Sequence, residues 1–207
     1  AARARQALLF RAMGAAFRSF ILIGPFFFGA AHYCLPSSNM KPKAAKPRGC
    51  QMIEVGDKAP EFSLPASGGQ TLNLADAGPL VLFFYPRDDT PGCTKEAHDF
   101  TASSECFAAK NTIVVGVSRD SVASHAKFKE KHAISYTLLA DTDESICQRY
   151  GVMKNKTLYG KAVCGIERST FLIGPRGVIQ YIWRGVKVPG HVDEVLATLE
   201  QLTPTTA

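Results

Sequence analysis

The chain predicts an α/β domain, a mixed central sheet with helices on both faces, over residues 52–207, behind a segment of different character at 1–51. Three observations carry this. From Met52 onward, apolar runs rich in β-branched and aromatic residues alternate with segments of helical pattern. Two of those runs, 79–85 and 112–118, are dominated by apolar residues, as strands covered on both faces must be. Late in the chain, runs 169–173 and 177–183 are joined through Gly174-Pro-Arg-Gly177, which makes a hairpin and requires an antiparallel pair.

The elements follow in order. Pro79-Leu-Val-Leu-Phe-Phe-Tyr85 is a buried strand, and the segment after Cys93, Thr94-Lys-Glu-Ala-His-Asp-Phe100, opens a helix. Residues 112–118 form the next strand. Ser121 is a good N-cap for a helix over 121–133, which carries Val122, Ala126 and Phe128. Residues 136–140 are a strand ended by the Asp141-Thr-Asp143 turn. A short helix at 145–150 closes at Gly151, and residues 191–201 form the last helix. There are no internal repeats.

The first fifty-one residues contain no Asp or Glu, while Arg3, Arg5, Arg11, Arg18, Lys41, Lys43, Lys46 and Arg48 all fall there. Removing those eight from the net +6 leaves −2 on the remainder, so the domain itself offers no support for nucleic-acid binding. The run Phe20–Ala31 is short and interrupted by Gly24 and Pro25, a poor membrane span. Three readings stay open for this leader: a transit or secretory signal, a membrane anchor, or residues upstream of a natural start at Met52. A cytoplasmic, bacterial-type location is expected, or a plastid or mitochondrion if 1–51 is a transit peptide.

The chemistry centres on Cys93, in Pro86-Arg-Asp-Asp-Thr90-Pro-Gly-Cys93. A thiol in the first turn of a helix lies against unpaired N–H groups and the positive end of the helix dipole, which favours the anionic sulfur. Thr90 can aim a hydroxyl at whatever the sulfur attacks. Pro86, Pro91 and Gly92 belong to the loop that presents both, and the prolines stiffen it. The bland alternative is a buried structural cysteine. The strand–loop–helix context and the Thr-Pro-Gly-Cys spacing favour a reactive one.

Pro86-x-x-x-Thr90-x-x-Cys93 resembles the active-site signature of the peroxiredoxins, and the longer string from Phe84 to Glu96 is similar to their bacterioferritin comigratory protein, or Q-type, branch. Gly56-Asp-Lys-Ala-Pro-Glu-Phe62, Val115-Gly-Val-Ser-Arg-Asp120, Leu138-Leu-Ala-Asp141, Tyr159-Gly-Lys161 and Gly165-Ile-Glu-Arg-Ser-Thr-Phe171 extend the likeness over residues 52–202. The resemblance implies a thioredoxin-like fold and a thiol peroxidase. It reduces hydrogen peroxide or an organic hydroperoxide, passes through a sulfenic acid, and is recycled by thioredoxin or by glutathione with glutaredoxin. It implies a monomer or weak dimer, and it gives Arg168 the role of the cation beside the sulfur; no cofactor or metal is expected, because the chain offers no ligands for one. The alternative function is a redox sensor or relay, passing oxidation from Cys93 to a partner protein.

Arg87 is expected to be solvated or paired with a carboxylate. Glu96, one turn after Cys93, either orders the local hydrogen bonds or merely complements the helix dipole. Many relatives of this branch carry a second cysteine where this chain has His98, so the usual partner for the sulfenic acid is missing; His98 is expected to be an exposed helical residue. Among the other cysteines there is no C-x-x-C pair and no metal-ligand spacing. Cys106 is thirteen residues further along the same predicted helix, about 20 Å away at the normal rise. Cys147 is expected to be a small buried hydrophobe, with resolution of the sulfenic acid as its other possible role. Cys164, four residues before Arg168 in a Gly-flanked loop, is the other candidate resolving thiol. Single-cysteine cycling is the leading expectation.

Overall fold

The computed structural model describes residues 52–158 and 161–202. Residues 1–51, on which the leader expectation falls, 159–160 and 203–207 lie outside them. The chain enters through a small antiparallel hairpin, β1 (Ser63–Pro65) and β2 (Thr71–Asn73), and a single turn, α1 (Leu74–Ala77). The central strand β3 (Leu80–Phe84) follows. The pair α2 (Pro91–Ala102) and α3 (Ser104–Ala109) crosses to β4 (Ile113–Ser118), and α4 (Val122–His132) crosses to β5 (Thr137–Ala140). After α5 (Ser145–Arg149) come a second hairpin, β6 (Met153–Leu158) and β7 (Lys161–Ile166), then β8 (Ser169–Ile173), β9 (Ile179–Arg184) and α6 (His191–Leu202).

Strands β3, β4 and β5 run parallel, which is why helices must carry the chain between them. Strand β8 joins β3 on its other side antiparallel and β9 closes that edge, giving the order β5-β4-β3-β8-β9. Every residue of β3 is buried. Because side chains alternate along a strand, Leu80, Leu82 and Phe84 enter one core with Leu74 of α1, Ile146 of α5 and Phe171. Val81, Phe83 and Tyr85 enter another with Phe100, Phe107, Phe128 and Val195 of the other four helices. This is the predicted mixed sheet, covered on both faces.

Phe83 ties the sheet to the helix that carries Cys93: its ring stacks on Phe100 of α2 with centroids 4.6 Å apart. Burying a side chain of this size contributes about 1.5–3 kcal/mol. The ring needs glycine beside it on β4, because a Cβ at Gly116 would stand 2.8 Å from Phe83 Cζ and from Leu138 Cδ2. Ser121 caps α4 as predicted, its Oγ accepting from the Ser124 amide at 3.3 Å. The β8–β9 hairpin forms as predicted, with an irregular register at Leu172 and Ile173.

The extent predicted for the Cys93 helix needs correction. The helix does not run on from Cys93 to Cys106; it ends at Ala102, and Cys106 is an exposed thiol on the separate α3. Thr101 Oγ1 donates to the Ala97 carbonyl and Ser104 Oγ to that of Thr101, so hydroxyls compete with backbone amides where the helix stops. The hairpins β1–β2 and β6–β7 were not predicted. Strands β1 and β2 have three residues each, and β6 is interrupted by Lys154, Asn155 and Lys156, so neither hairpin carries paired apolar runs like those of the central strands.

Candidate active site

Strand β3 releases the chain at Tyr85, and the loop to α2 brings Thr90 to the N-cap position in extended conformation, φ −96° and ψ 148°. An extended residue is what the following proline enforces, and Pro91 itself sits at the first helical position, where no amide hydrogen is needed. Cys93 is therefore in the first turn of α2. It is 3% exposed and packs in the core of Phe83, Tyr85, Ala97 and Phe128.

Thr90 does not cap the helix with its side chain; its Oγ1 donates to the Arg87 carbonyl at 3.2 Å. Half-buried Pro86 and exposed Arg87 form the loop's outer surface; Pro91 and Gly92, expected in the loop, are instead the exposed first residues of α2, because the fixed φ of Pro91 suits a first helical position. A methyl on Gly92 would sit 3.5 Å from Arg168 Nη2, in contact without clash.

Arg168 arrives from the short connection between β7 and β8, where the Glu167 amide donates to Val152 O and the Val186 amide to Arg168 O. Its Nη2 donates to Cys93 Sγ at 3.3 Å and its Nη1 to Glu96 Oε2. Burial alone would lower the guanidinium's pKa. The charges of Glu96 and Cys93, and the hydrogen bonds to them, outweigh this and hold it above its usual value. Glu96 is 1% exposed and turned into the site, so of its two expected roles the ordering of local hydrogen bonds is the observed one. Burial pushes its carboxyl up to about 7 against the pull of Arg168, and Oε1 has no hydrogen-bond partner among the described residues.

The remaining candidates lie elsewhere. Cys147 is fully buried in α5, in the core on the opposite face of the sheet from Cys93. Its thiol is pushed far up by burial and then by Asp141, which favours the neutral form. Cys164 is a free, exposed thiol within strand β7, not in a loop. His98 is exposed on α2 as expected, with its ring edge-on to His132 at 5.4 Å.

Sequence reasoning missed what holds the loop. Asp88 is 8% exposed and accepts from Tyr85 Oη at 2.7 Å and Ser124 Oγ at 2.7 Å; His125 Nδ1 stands 2.9 Å from it. The Asp88 amide donates to Asp120 Oδ2 at 2.7 Å. The usable signal was topological: Asp88 and Asp120 follow the C-terminal ends of adjacent parallel strands, where the connecting loops of an α/β sheet meet.

The AhpC/TSA family model matches residues 55–182. A putative peroxiredoxin bcp from Coxiella burnetii is 49% identical over 149 residues, covering 71% of this chain and 99% of the relative. This chain is a peroxiredoxin of the AhpC/TSA family. The Peroxiredoxin Bcp of Bacillus subtilis is 46% identical over 153 residues, 73% of this chain and 98% of that one. Among solved structures, a cysteine-to-serine mutant of PrxQ from Xylella fastidiosa superposes with a TM-score of 0.69 at 43% identity, covering 74% of this chain and 99% of that one. A bacterioferritin comigratory protein from Xanthomonas campestris, whose structure was solved for its alkyl peroxide reduction activity, gives 0.66 at 45% identity, covering 68% and 91%. The peroxiredoxin fold is thus the thioredoxin-like one that the resemblance implied, and the activity is thiol-dependent peroxidase, an oxidoreductase acting on peroxide.

Proposed function

We propose that Cys93 is the sulfur this peroxiredoxin oxidises, with Arg168, Thr90 and Glu96 serving it. The carrying observation is the 3.3 Å contact from Arg168 Nη2 to Cys93 Sγ beside an apolar core. Away from water, a fixed guanidinium stabilises an anionic sulfur, and negative charge developing on a departing oxygen, more strongly than solvent does. The sulfur attacks the terminal oxygen of ROOH. The S–O bond forms as the O–O bond breaks, the departing oxygen takes up a proton, and Cys93 sulfenic acid and ROH result. Sulfur loses the two electrons that the peroxide gains. Thr90 gives its own hydrogen to the Arg87 carbonyl, so its oxygen keeps capacity to accept from the peroxide O–H.

The sulfenic acid is then attacked by an external thiol with loss of water, and a second thiol frees Cys93 from the mixed disulfide. His98 at the usual partner position and the burial of Cys147 on the far face support external over internal resolution. The reductant is thioredoxin, or glutathione with glutaredoxin. The alkyl peroxide reduction of the Xanthomonas relative supports organic hydroperoxides beside hydrogen peroxide as substrates.

Intact mass after one equivalent of peroxide, taken with steady-state turnover, tests this on the parent and on Cys93→Ser. The parent should gain one oxygen, and the variant should gain none and turn over no peroxide, because a hydroxyl stays protonated near neutral pH. Substantial turnover by Cys93→Ser would refute the assignment. Quantitative loss of two hydrogens by the parent would make it a two-cysteine enzyme.

A further inference from the structure

One peptide unit in the active loop is gripped at both ends. The carbonyl of Arg87 accepts the Thr90 hydroxyl at 3.2 Å, and the amide on the other side of the same planar unit, that of Asp88, donates to Asp120 Oδ2 at 2.7 Å. The plane of a peptide is rigid, so a force on its N–H turns its C=O. Asp120 is thus joined, through one planar peptide, to the carbonyl that holds the Thr90 hydroxyl.

Asp120 is held in turn. Ser118 Oγ, fully buried at the end of β4, donates to the same Oδ2 at 2.9 Å, and the Asp120 amide is 3.1 Å from that Oγ. Beneath the peptide, the Asp88 side chain is anchored to α4 by Ser124 and by His125, which is wholly buried. The His125 ring faces an acceptor at each nitrogen, Asp88 from Nδ1 and the Leu139 carbonyl from Nε2 at 3.2 Å. These bonds tie the loop to β4, β5 and α4, elements with no catalytic side chain of their own.

We propose that Asp120 is a positioning residue for the peroxidase reaction, acting through the Arg87–Asp88 peptide on the Thr90 hydroxyl, with the Asp88–His125 pair as its buried support. This rests on the reading of Thr90 as the group that orients the peroxide. A misplaced orienting group slows a reaction by as much as about 10²-fold, while a reagent that needs no orientation is unaffected.

The test compares the parent, Asp120→Ala, Asp120→Asn, Thr90→Val and the double variant Asp120→Ala/Thr90→Val. Each is measured for its second-order rate with hydrogen peroxide and for alkylation of Cys93 by iodoacetamide. Asp120→Ala should lose about tenfold or more in the peroxide rate, with alkylation within about twofold of the parent. Asp120→Asn keeps an oxygen for the Asp88 amide and should recover most of the rate. In the Thr90→Val background, Asp120→Ala should add no further loss, the signature of two residues acting through one group. Additive losses in the double variant, or a peroxide rate unchanged in folded Asp120→Ala while Thr90→Val is slow, would overturn the inference. A parent-like rate for Thr90→Val would instead overturn the reading of Thr90 on which it rests. Should Asp120→Ala not fold, the same comparison with Ser118→Ala, which removes the hydroxyl that holds Asp120 Oδ2, decides it by the same outcomes.

Discussion

Arg168 stands 75 residues beyond Cys93, yet its Nη2 lies 3.3 Å from the Cys93 sulfur. The other arm of the same guanidinium holds Glu96. Cys93 and Glu96 are three apart on α2, hence on one face of the helix, and a planar fork meets both at once. A buried carboxyl and a buried sulfur thus share one cation. Each form of Glu96 leaves a different share of that charge to the sulfur.

Replacing Arg168 by Ala should slow the peroxide reaction by on the order of 10²-fold, the loss that follows removal of one fixed electrostatic donor. Arg168→Lys should restore only part of it, since an ammonium cannot reproduce the fork that reaches Sγ and Glu96 together. Glu96 in the alanine variant has lost its cation and takes up a proton rather than remain charged in the core. Rapid-mixing measurement of the rate with hydrogen peroxide checks this. A parent-like rate for Arg168→Ala would make the residue structural.

Glu96 should leave a signature in the pH dependence of stability. Its carboxyl is raised from 4.5 to about 7 by burial, so the folded protein binds that proton more tightly than the unfolded chain. The contribution is complete below 4.5 and is lost as pH rises through 7, by on the order of 3 kcal/mol at most. His191 slopes the other way: burial first, and then Arg168, depress it to about 4 from 6.5. Its contribution is present above 6.5 and lost as pH falls through 4. The test is therefore a difference: urea unfolding of the parent and of Glu96→Gln across this window. The parent should lose stability relative to the variant as pH rises, and parallel curves would show that Glu96 does not titrate there.

His98→Cys should create an internal partner for the sulfenic acid. The two positions lie five apart on α2, with Cys93 buried and residue 98 exposed, so the first turns must open for a disulfide to form. Peroxide should then remove two hydrogens from the variant where it adds one oxygen to the parent. Inactivation by excess peroxide should weaken, because the parent's sulfenic acid waits for an external thiol and is exposed meanwhile to oxidation to sulfinic acid. Equal sensitivity of the two proteins would show that α2 does not open fast enough for His98 to matter.

The strands of the central sheet and the place of Cys93 were legible in the sequence because each depends on neighbours in the chain. The run Leu80–Phe84 is apolar at every position, and a strand buried on both faces tolerates nothing else. Pro91, the residue after Thr90, suits a helix start through its restricted φ and missing amide hydrogen, both local properties. Arg168 was reached through the likeness of its surrounding motif, since nothing within several residues of it speaks of a sulfur.

The tertiary structure alone decided matters that depend on which distant groups meet. Glu96 carries the same residue type and helix position whether it faces water or the core; only the arrival of Arg168 from the β7–β8 connection turns it inward, and burial then raises its pKa. Cys147 and Cys93 were two thiols in helices until β3 separated them into opposite cores. The grip of Asp120 on the Asp88 amide spans 32 residues and exists because β3 and β4 lie parallel in register, so that their C-terminal loops emerge side by side. Patterns of hydrophobicity and turn chemistry act over a few residues and determine where strands, helix starts and a helix-borne sulfur fall. Hydrogen bonds and charges act over a few ångströms in space, and which residues come that close is set by sheet order.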